Sequence, residues 1–92
     1  MSHKHLHTLE AIFHDPSPNN LQWHEVESLL NHLGAQIESS HGARFRVLLN
    51  GHEFILHHPH HSNEFARPDV KRLREFLAAA GVSVSAYAAQ QT

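Results

Sequence analysis

The most reactive side chains of this 92-residue chain are concentrated in one short run, His57-His58-Pro59-His60-His61. Neutral imidazole transfers protons near neutral pH and also ligates metal ions, so the run could serve either chemistry. The sequence contains no cysteine, which excludes disulfides and thiolate metal sites. The run therefore indicates acid–base catalysis, metal binding, or a solvated loop without a chemical role.

Composition and charge narrow the class of protein. A chain with 40% hydrophobic residues suits one small domain, and no apolar run reaches the ~18 residues that a membrane span needs. The start of the sequence does not resemble a signal peptide, so we expect a cytoplasmic protein without a membrane partner. The formal net charge is -2, yet six of the seven Lys and Arg residues lie at or after Arg44. The C-terminal half of the chain is therefore better suited to bind an anion than the N-terminal half.

The residues before the His run predict a β-hairpin. Asn50-Gly51 favours a two-residue type I′ turn, because both residue types tolerate positive φ. If Leu49 pairs with His52, outward counting places Arg44 opposite His57. Arg44, Arg46 and His57 then share one face of the hairpin. The opposite face is predicted to be buried, and it carries Phe45, Val47, Leu49, Phe54 and Leu56.

Helices are predicted on both sides of the hairpin, and a short strand from Ala35 to Ser40 precedes it. Apolar residues at helical spacing indicate helices over 5–14, from near Leu21 to Leu33, and from Pro68 to Ala80. Trp23 and Phe76 are interpreted as core residues. Three basic residues lie off the apolar stripe of the last predicted helix and form a basic surface there: Lys71, Arg72 and Arg74.

This order of elements predicts a small single-domain α+β fold, α-α-β-β-β-α, with a three-stranded antiparallel sheet and helices packed on one face. We expect residues 1–18 to form an N-terminal helical arm and linker, and residues 19–82 to form the main domain. The first helix is expected to fold back onto the sheet. Residues 83–92 have too little apolar content to require order, so we expect a flexible C-terminal tail.

Several motifs between residues 20 and 82 share a defined order and spacing. They are Trp23-His24-Glu25-Val26-Glu27-Ser28-Leu29-Leu30 with Leu33-Gly34, then Gly42-Ala43-Arg44, Pro59-His60, and the segment from Val70 to Ala80-Gly81-Val82. This arrangement resembles the HicA family of toxins from bacterial toxin-antitoxin pairs. The resemblance implies a double-stranded-RNA-binding-domain-like fold and a metal-independent mRNA endoribonuclease activity without a cofactor. It also implies neutralisation by a HicB-like antitoxin.

The sequence departs from that family at one important position. The family places its catalytic His after a Gly-Ser pair, whereas Arg44 follows Gly42-Ala43 here. Arginine binds phosphate well but is a poor proton acceptor. We therefore predict Arg44 as a phosphate clamp, with His57 and His60 as the proton-transfer residues and His41 as a further candidate. Additional RNA phosphates are predicted to bind Arg46, Lys71 and Arg72.

Two other functions are compatible with the same residues. Arg44 in place of a catalytic His also suits an RNA-binding or regulatory relative that has lost cleavage. A His-rich metal-binding module is the other alternative, although no ordered set of three or four ligands with a carboxylate stands out, so no metal is predicted. A homodimer contact through the first helix also remains open. Six further histidines are interpreted as solvated or capping side chains rather than catalysts: His3, His5, His7, His14, His24 and His32.

Overall fold

The computed structural model describes residues 4–14, 20–59 and 63–90, so His60 and part of the predicted linker lie outside the described residues. Its elements are α1 (Lys4–Phe13), α2 (Trp23–His32), β1 (Gln36–Ser39), β2 (Arg44–Leu49), β3 (His52–His57), α3 (Arg67–Ala79) and α4 (Val84–Gln90). The strands form one antiparallel sheet in the order β1-β2-β3. The predicted α+β fold is therefore confirmed. In the described part of the chain, every helix is too short or too polar to cross a membrane.

The Asn50-Gly51 turn sets the register of the hairpin formed by β2 and β3. Both residues have positive φ, 51° at Asn50 and 82° at Gly51, as a type I′ turn requires. The ladder therefore runs from the Leu49–His52 pair outward to Arg44 opposite His57, as predicted. The Asn50 side chain also donates a 2.8 Å hydrogen bond to the carbonyl of Ala80. This contact fastens the tip of the hairpin to the end of α3.

Helices α2 and α3 cover one face of the sheet and leave the other face open. Phe76 of α3 stacks on Phe54 of β3 with ring centroids 5.0 Å apart, and Trp23 of α2 lies 4.9 Å from Phe45 of β2. The buried apolar residues come from every element except β1: Leu9, Ile12, Leu21, Trp23, Val26, Leu29, Leu30, Val47, Leu49, Leu56, Phe65, Val70, Leu73, Phe76, Leu77, Ala80 and Tyr87. Phe45 and Phe54 are half-buried.

The terminal helices pack on other helices. Within the described ranges, α1 contacts α2, α3 and α4 and makes no contact with the sheet. The expectation that the first helix folds back onto the sheet is therefore wrong, because α2 and α3 already cover that face. Residues 84–90 form α4, and Tyr87 within it is buried. The expected flexible tail is thus wrong for this segment, since one buried aromatic ring supplies the apolar contact that docks the helix.

Arg74 on α3 fixes the end of α1. Its Nε donates to the carbonyl of Ile12 and its Nη2 donates to the carbonyl of His14, each over 2.8 Å. The last carbonyls of a helix lack partners within the helix, and a cation there also opposes the negative end of the helix dipole. Arg74 therefore acts as a helix cap, and the basic surface predicted for α3 is reduced to Lys71 and Arg72.

Candidate functional site

The turn between β1 and β2 places His41 and Arg44 at the two ends of a tight reversal. The Arg44 amide donates to the His41 carbonyl over 3.1 Å, and the Ser40 amide donates to the Arg44 carbonyl over 2.9 Å. Gly42 inside the turn has a φ of 61°, which glycine adopts without the steric penalty that a Cβ would add. The Gly42-Ala43 pair therefore brings the two polar side chains to the same end of the sheet.

Arg44 and His57 are direct cross-strand neighbours. The next pair outward, Ala43 and His58, is joined by a 2.8 Å hydrogen bond from the His58 amide to the Ala43 carbonyl. Because hydrogen-bonded and non-hydrogen-bonded pairs alternate along an antiparallel ladder, Arg44 and His57 form a non-hydrogen-bonded pair. Side chains approach most closely in pairs of this type. Both side chains are exposed on the open face of the sheet.

An open groove at this end of the sheet is lined by His41, Gly42, Ala43, Arg44 and His57. We call it the Arg44 groove. Its three polar side chains are all exposed, so a ligand reaches them without rearrangement of the core. A guanidinium group can donate to two phosphate oxygens at once, and an imidazole can exchange protons near neutral pH. The Arg44 groove is therefore chemically suited to a phosphodiester.

Arg44 and Arg46 share the open face but differ in their electrostatic surroundings. Arg46 donates from Nε to Glu53 over 3.0 Å and from Nη1 to Glu38 over 3.2 Å. The hydrogen bond with Glu53 is the main reason why the pKa of Arg46 is raised, with Glu38 adding to it. Arg44 forms no salt bridge with any carboxylate in the described ranges. Its charge is thus available to an anion, whereas the charge of Arg46 is balanced by two carboxylates.

Lys71 and Arg72 are not brought to the Arg44 groove. Both are exposed on α3, which packs on the covered face of the sheet, opposite the face that carries Arg44 and His57. Arg72 also lies 3.7 Å from Asp69 in a surface pair. The binding of RNA phosphates by these two residues stays a prediction, and it requires an RNA that extends around the sheet.

Aromatic rings support the groove from the covered face of the sheet. The ring of His58 lies 4.5 Å from that of Trp23, between centroids. Its Nδ1 is 2.8 Å from the carbonyl oxygen of Pro59, and a carbonyl only accepts, so Nδ1 carries a proton. His58 is therefore a packed residue that anchors the end of β3. The residue types in the run from His57 to His61 do not separate a packed histidine from an exposed one. Strand alternation does, because it places His57 and His58 on opposite faces of the sheet.

The segment after the His run is anchored beside the start of α2. The Trp23 amide donates to the Asn63 carbonyl over 2.7 Å, and the Phe65 amide donates to the Leu21 carbonyl over 2.8 Å. Phe65 is 2% exposed and its ring lies 5.9 Å from that of Trp23. The sequence predicts only a loop here, because one aromatic residue between polar neighbours shows no periodicity. His60 falls between these anchored segments in sequence and outside the described residues, so its catalytic role stays a prediction.

No group of three or more His, Asp or Glu side chains in residues 4–14, 20–59 and 63–90 is placed to hold a metal ion. His60 and His61 are not part of those ranges. The metal-binding alternative therefore depends on the sequence pattern alone.

Comparisons with protein-family models, with curated proteins and with solved structures found no match for this chain. The likeness to HicA toxins therefore rests on the sequence motifs. The observed order α2-β1-β2-β3-α3 is the order predicted for the main domain.

Proposed function

We propose that this protein is a HicA-like toxin of a type II toxin-antitoxin system, a metal-independent mRNA endoribonuclease neutralised by a HicB-like antitoxin. The observation that carries the proposal is the Arg44 groove, where a guanidinium without a carboxylate partner in the described ranges faces the same open volume as two imidazoles. These groups suffice for cleavage of RNA through its own 2′-hydroxyl.

The proposed reaction assigns one task to each group. Arg44 binds the non-bridging oxygens of the phosphate and stabilises the negative charge that builds on them. One imidazole removes the proton of the ribose 2′-hydroxyl while the 2′-oxygen bonds to phosphorus. The bond from phosphorus to the 5′-oxygen breaks, and a second imidazole protonates the leaving oxygen. The products are a 2′,3′-cyclic phosphate and a 5′-hydroxyl end.

The two histidines that transfer protons are assigned from their positions relative to Arg44. His57 is the first candidate because it is the cross-strand neighbour of Arg44. His41 is the second candidate because it lines the same groove. His60 keeps the proton-transfer role predicted from the sequence. An imidazole has an ordinary pKa of about 6.5, so it is present in both protonation states near neutral pH.

The first test is cleavage without metal. We expect the purified protein to degrade single-stranded RNA in EDTA between about pH 6 and pH 8, where imidazole changes protonation. His57→Gln lowers the rate by about 10²- to 10⁴-fold, the usual contribution of a general acid or base. The matched control is His24→Gln, which removes an exposed imidazole of α2 and leaves the rate unchanged. Gel analysis of a labelled RNA measures both variants.

Two outcomes contradict this proposal. One is intact RNA at every pH in that range with the wild-type protein. The other is a cleavage rate for His57→Gln equal to that of the wild type, which would remove His57 from the reaction. An RNA with deoxyribose at the cleaved nucleotide stays intact if the 2′-hydroxyl is the nucleophile.

An RNA-binding protein without nuclease activity is the second candidate function. Arg44 favours it, because arginine occupies the position at which the HicA family places its catalytic histidine, and a guanidinium does not accept a proton. In that case the wild-type protein binds the same RNA with an affinity that falls as salt rises, and it leaves the RNA intact.

A further inference from the structure

A second cluster of imidazoles lies where α1, α2 and α4 meet. The rings of His5 on α1 and His32 on α2 stack with centroids 4.4 Å apart and an interplanar angle of 19°. Tyr87 of α4 meets the ring of His32 edge-on at 5.8 Å. His32 is exposed, as the sequence interpretation expected, whereas His5 is half-buried. Both rings also contact other helices, which the sequence did not predict. The ring of His32 connects three helices.

His5 is held by α2 in a second way. Its Nε2 lies 2.8 Å from the hydroxyl oxygen of Ser28. This hydrogen bond and the ring stack both join α1 to α2. Helix α3 also contacts α1. Its Arg74 side chain binds carbonyls at the C-terminal end of α1, whereas His5 lies at the N-terminal end.

The surroundings of His5 oppose a positive charge. Burial is the main cause that lowers its pKa below the ordinary value of 6.5, followed by His32 from α2 and Lys4 from its own helix. Helix α4 contributes Tyr87 and contains no acidic or basic residue. Within the described ranges, the charged groups that act on His5 are His32 and Lys4, and neither is a carboxylate.

This lowered pKa has a defined consequence for stability. Below pH 6.5 the unfolded chain takes up the proton of His5 more readily than the folded protein does. The stability that neutral His5 contributes is thus complete above pH 6.5 and is lost as the pH falls through the lowered pKa of His5. Acidification therefore weakens the junction of α1 with α2.

We propose that the stacked pair His5 and His32 is a pH-sensitive latch that holds α1, and with it α4, which packs on α1, against α2 at neutral pH and loosens both helices in mild acid. Two imidazolium rings at 4.4 Å repel each other, and Lys4 adds a third positive charge. The sheet is held by its own ladder hydrogen bonds, so the latch acts on the outer helices while β2 and β3 stay paired. It is independent of the Arg44 groove.

Amide hydrogen exchange tests the latch directly. Protection factors, which correct for the intrinsic pH dependence of exchange, are measured for α1, α4 and the hairpin at neutral and at mildly acidic pH. We expect acidification to reduce protection in α1 and α4 more than in β2 and β3. Equal loss in all four elements indicates general acid destabilisation and would overturn the proposal.

Two variants separate the latch from the other histidines. His32→Phe keeps a ring in the stack and removes its charge, so the extra acid sensitivity of α1 should decrease. His24→Gln is the control and should keep the wild-type response. An unchanged response in His32→Phe would overturn the proposal.

The pKa of His5 in the His32→Phe variant is a second readout, and a replacement variant is available if His32→Phe does not fold. In His32→Phe, proton NMR should show a higher pKa for His5, because one like charge is gone, and an unchanged pKa would count against the latch. If His32→Phe does not fold, His5→Gln takes its place. The glutamine side chain of this variant can still form a hydrogen bond with Ser28 but does not titrate. A wild-type acid response of α1 in His5→Gln would overturn the proposal.

Discussion

Arg44→Gln lowers kcat/KM for RNA cleavage by about 10²- to 10³-fold, the usual loss when one group that stabilises developing negative charge is removed. The side chain is exposed and forms no salt bridge in the described ranges. Glutamine keeps a polar but uncharged side chain at the start of β2. The fold should therefore persist, and the loss of rate reports the missing charge. Thermal unfolding of the same sample checks the fold.

Other arginines supply matched comparisons for Arg44. Arg67→Gln removes the same charge from an exposed position at the start of α3 and should leave the rate unchanged. Arg46→Gln should have a smaller effect than Arg44→Gln, because Glu38 and Glu53 already balance the charge of Arg46. Arg44→Lys keeps the charge but loses the two-point contact with phosphate, so it should recover part of the rate. Equal rates for Arg44→Gln and Arg67→Gln would contradict the assignment of Arg44.

Trp23→Ala lowers the free energy of unfolding by about 3–5 kcal/mol, the range for removal of a large aromatic side chain from a core. Trp23 is 8% exposed, and its ring contacts those of Phe45, His58 and Phe65. A small domain has a total stability of about 5–15 kcal/mol, so this loss leaves a substantial unfolded fraction. Urea unfolding followed by circular dichroism measures it without relying on tryptophan fluorescence.

Two further substitutions decide whether Trp23 is a core residue or a platform for RNA bases. Trp23→Phe keeps a ring against its neighbours and should lose less stability than Trp23→Ala. Ile55→Ala is the exposed control, since Ile55 is 40% exposed on the open face of the sheet, and surface substitutions change stability by about 0.5 kcal/mol or less. Wild-type stability of Trp23→Ala together with a loss of RNA binding would indicate a stacking platform instead.

Local sequence signals predict the hairpin and the helices because each signal involves neighbouring residues. Asn50-Gly51 restricts the turn, and the alternation of strand residues then determines which side chains share a face. The pairing of Arg44 with His57 follows from this geometry alone. The helices follow from apolar residues at helical spacing, which mark the face that must be buried.

The remaining features depend on contacts between distant segments. Phe65 and Tyr87 are single aromatic residues without periodic neighbours, so their burial is visible only after the chain has folded. Arg46 contacts Glu38 because β1 pairs with β2. The sequence of β2 alone does not show this partner, so it suggests that Arg46 is available to RNA. Arg74 caps a helix that ends about sixty residues earlier. In each case a partner distant in sequence determines the role of the side chain.

The most direct test of the Arg44 groove is an NMR titration of the isotope-labelled protein with a short single-stranded RNA in EDTA. We expect the largest changes in chemical shift at His41, Gly42, Ala43, Arg44 and His57, including the side-chain Nε–H of Arg44. Changes confined to α3 around Lys71 and Arg72, or RNA binding that leaves the groove residues unchanged, would contradict the assignment of this groove as the RNA site.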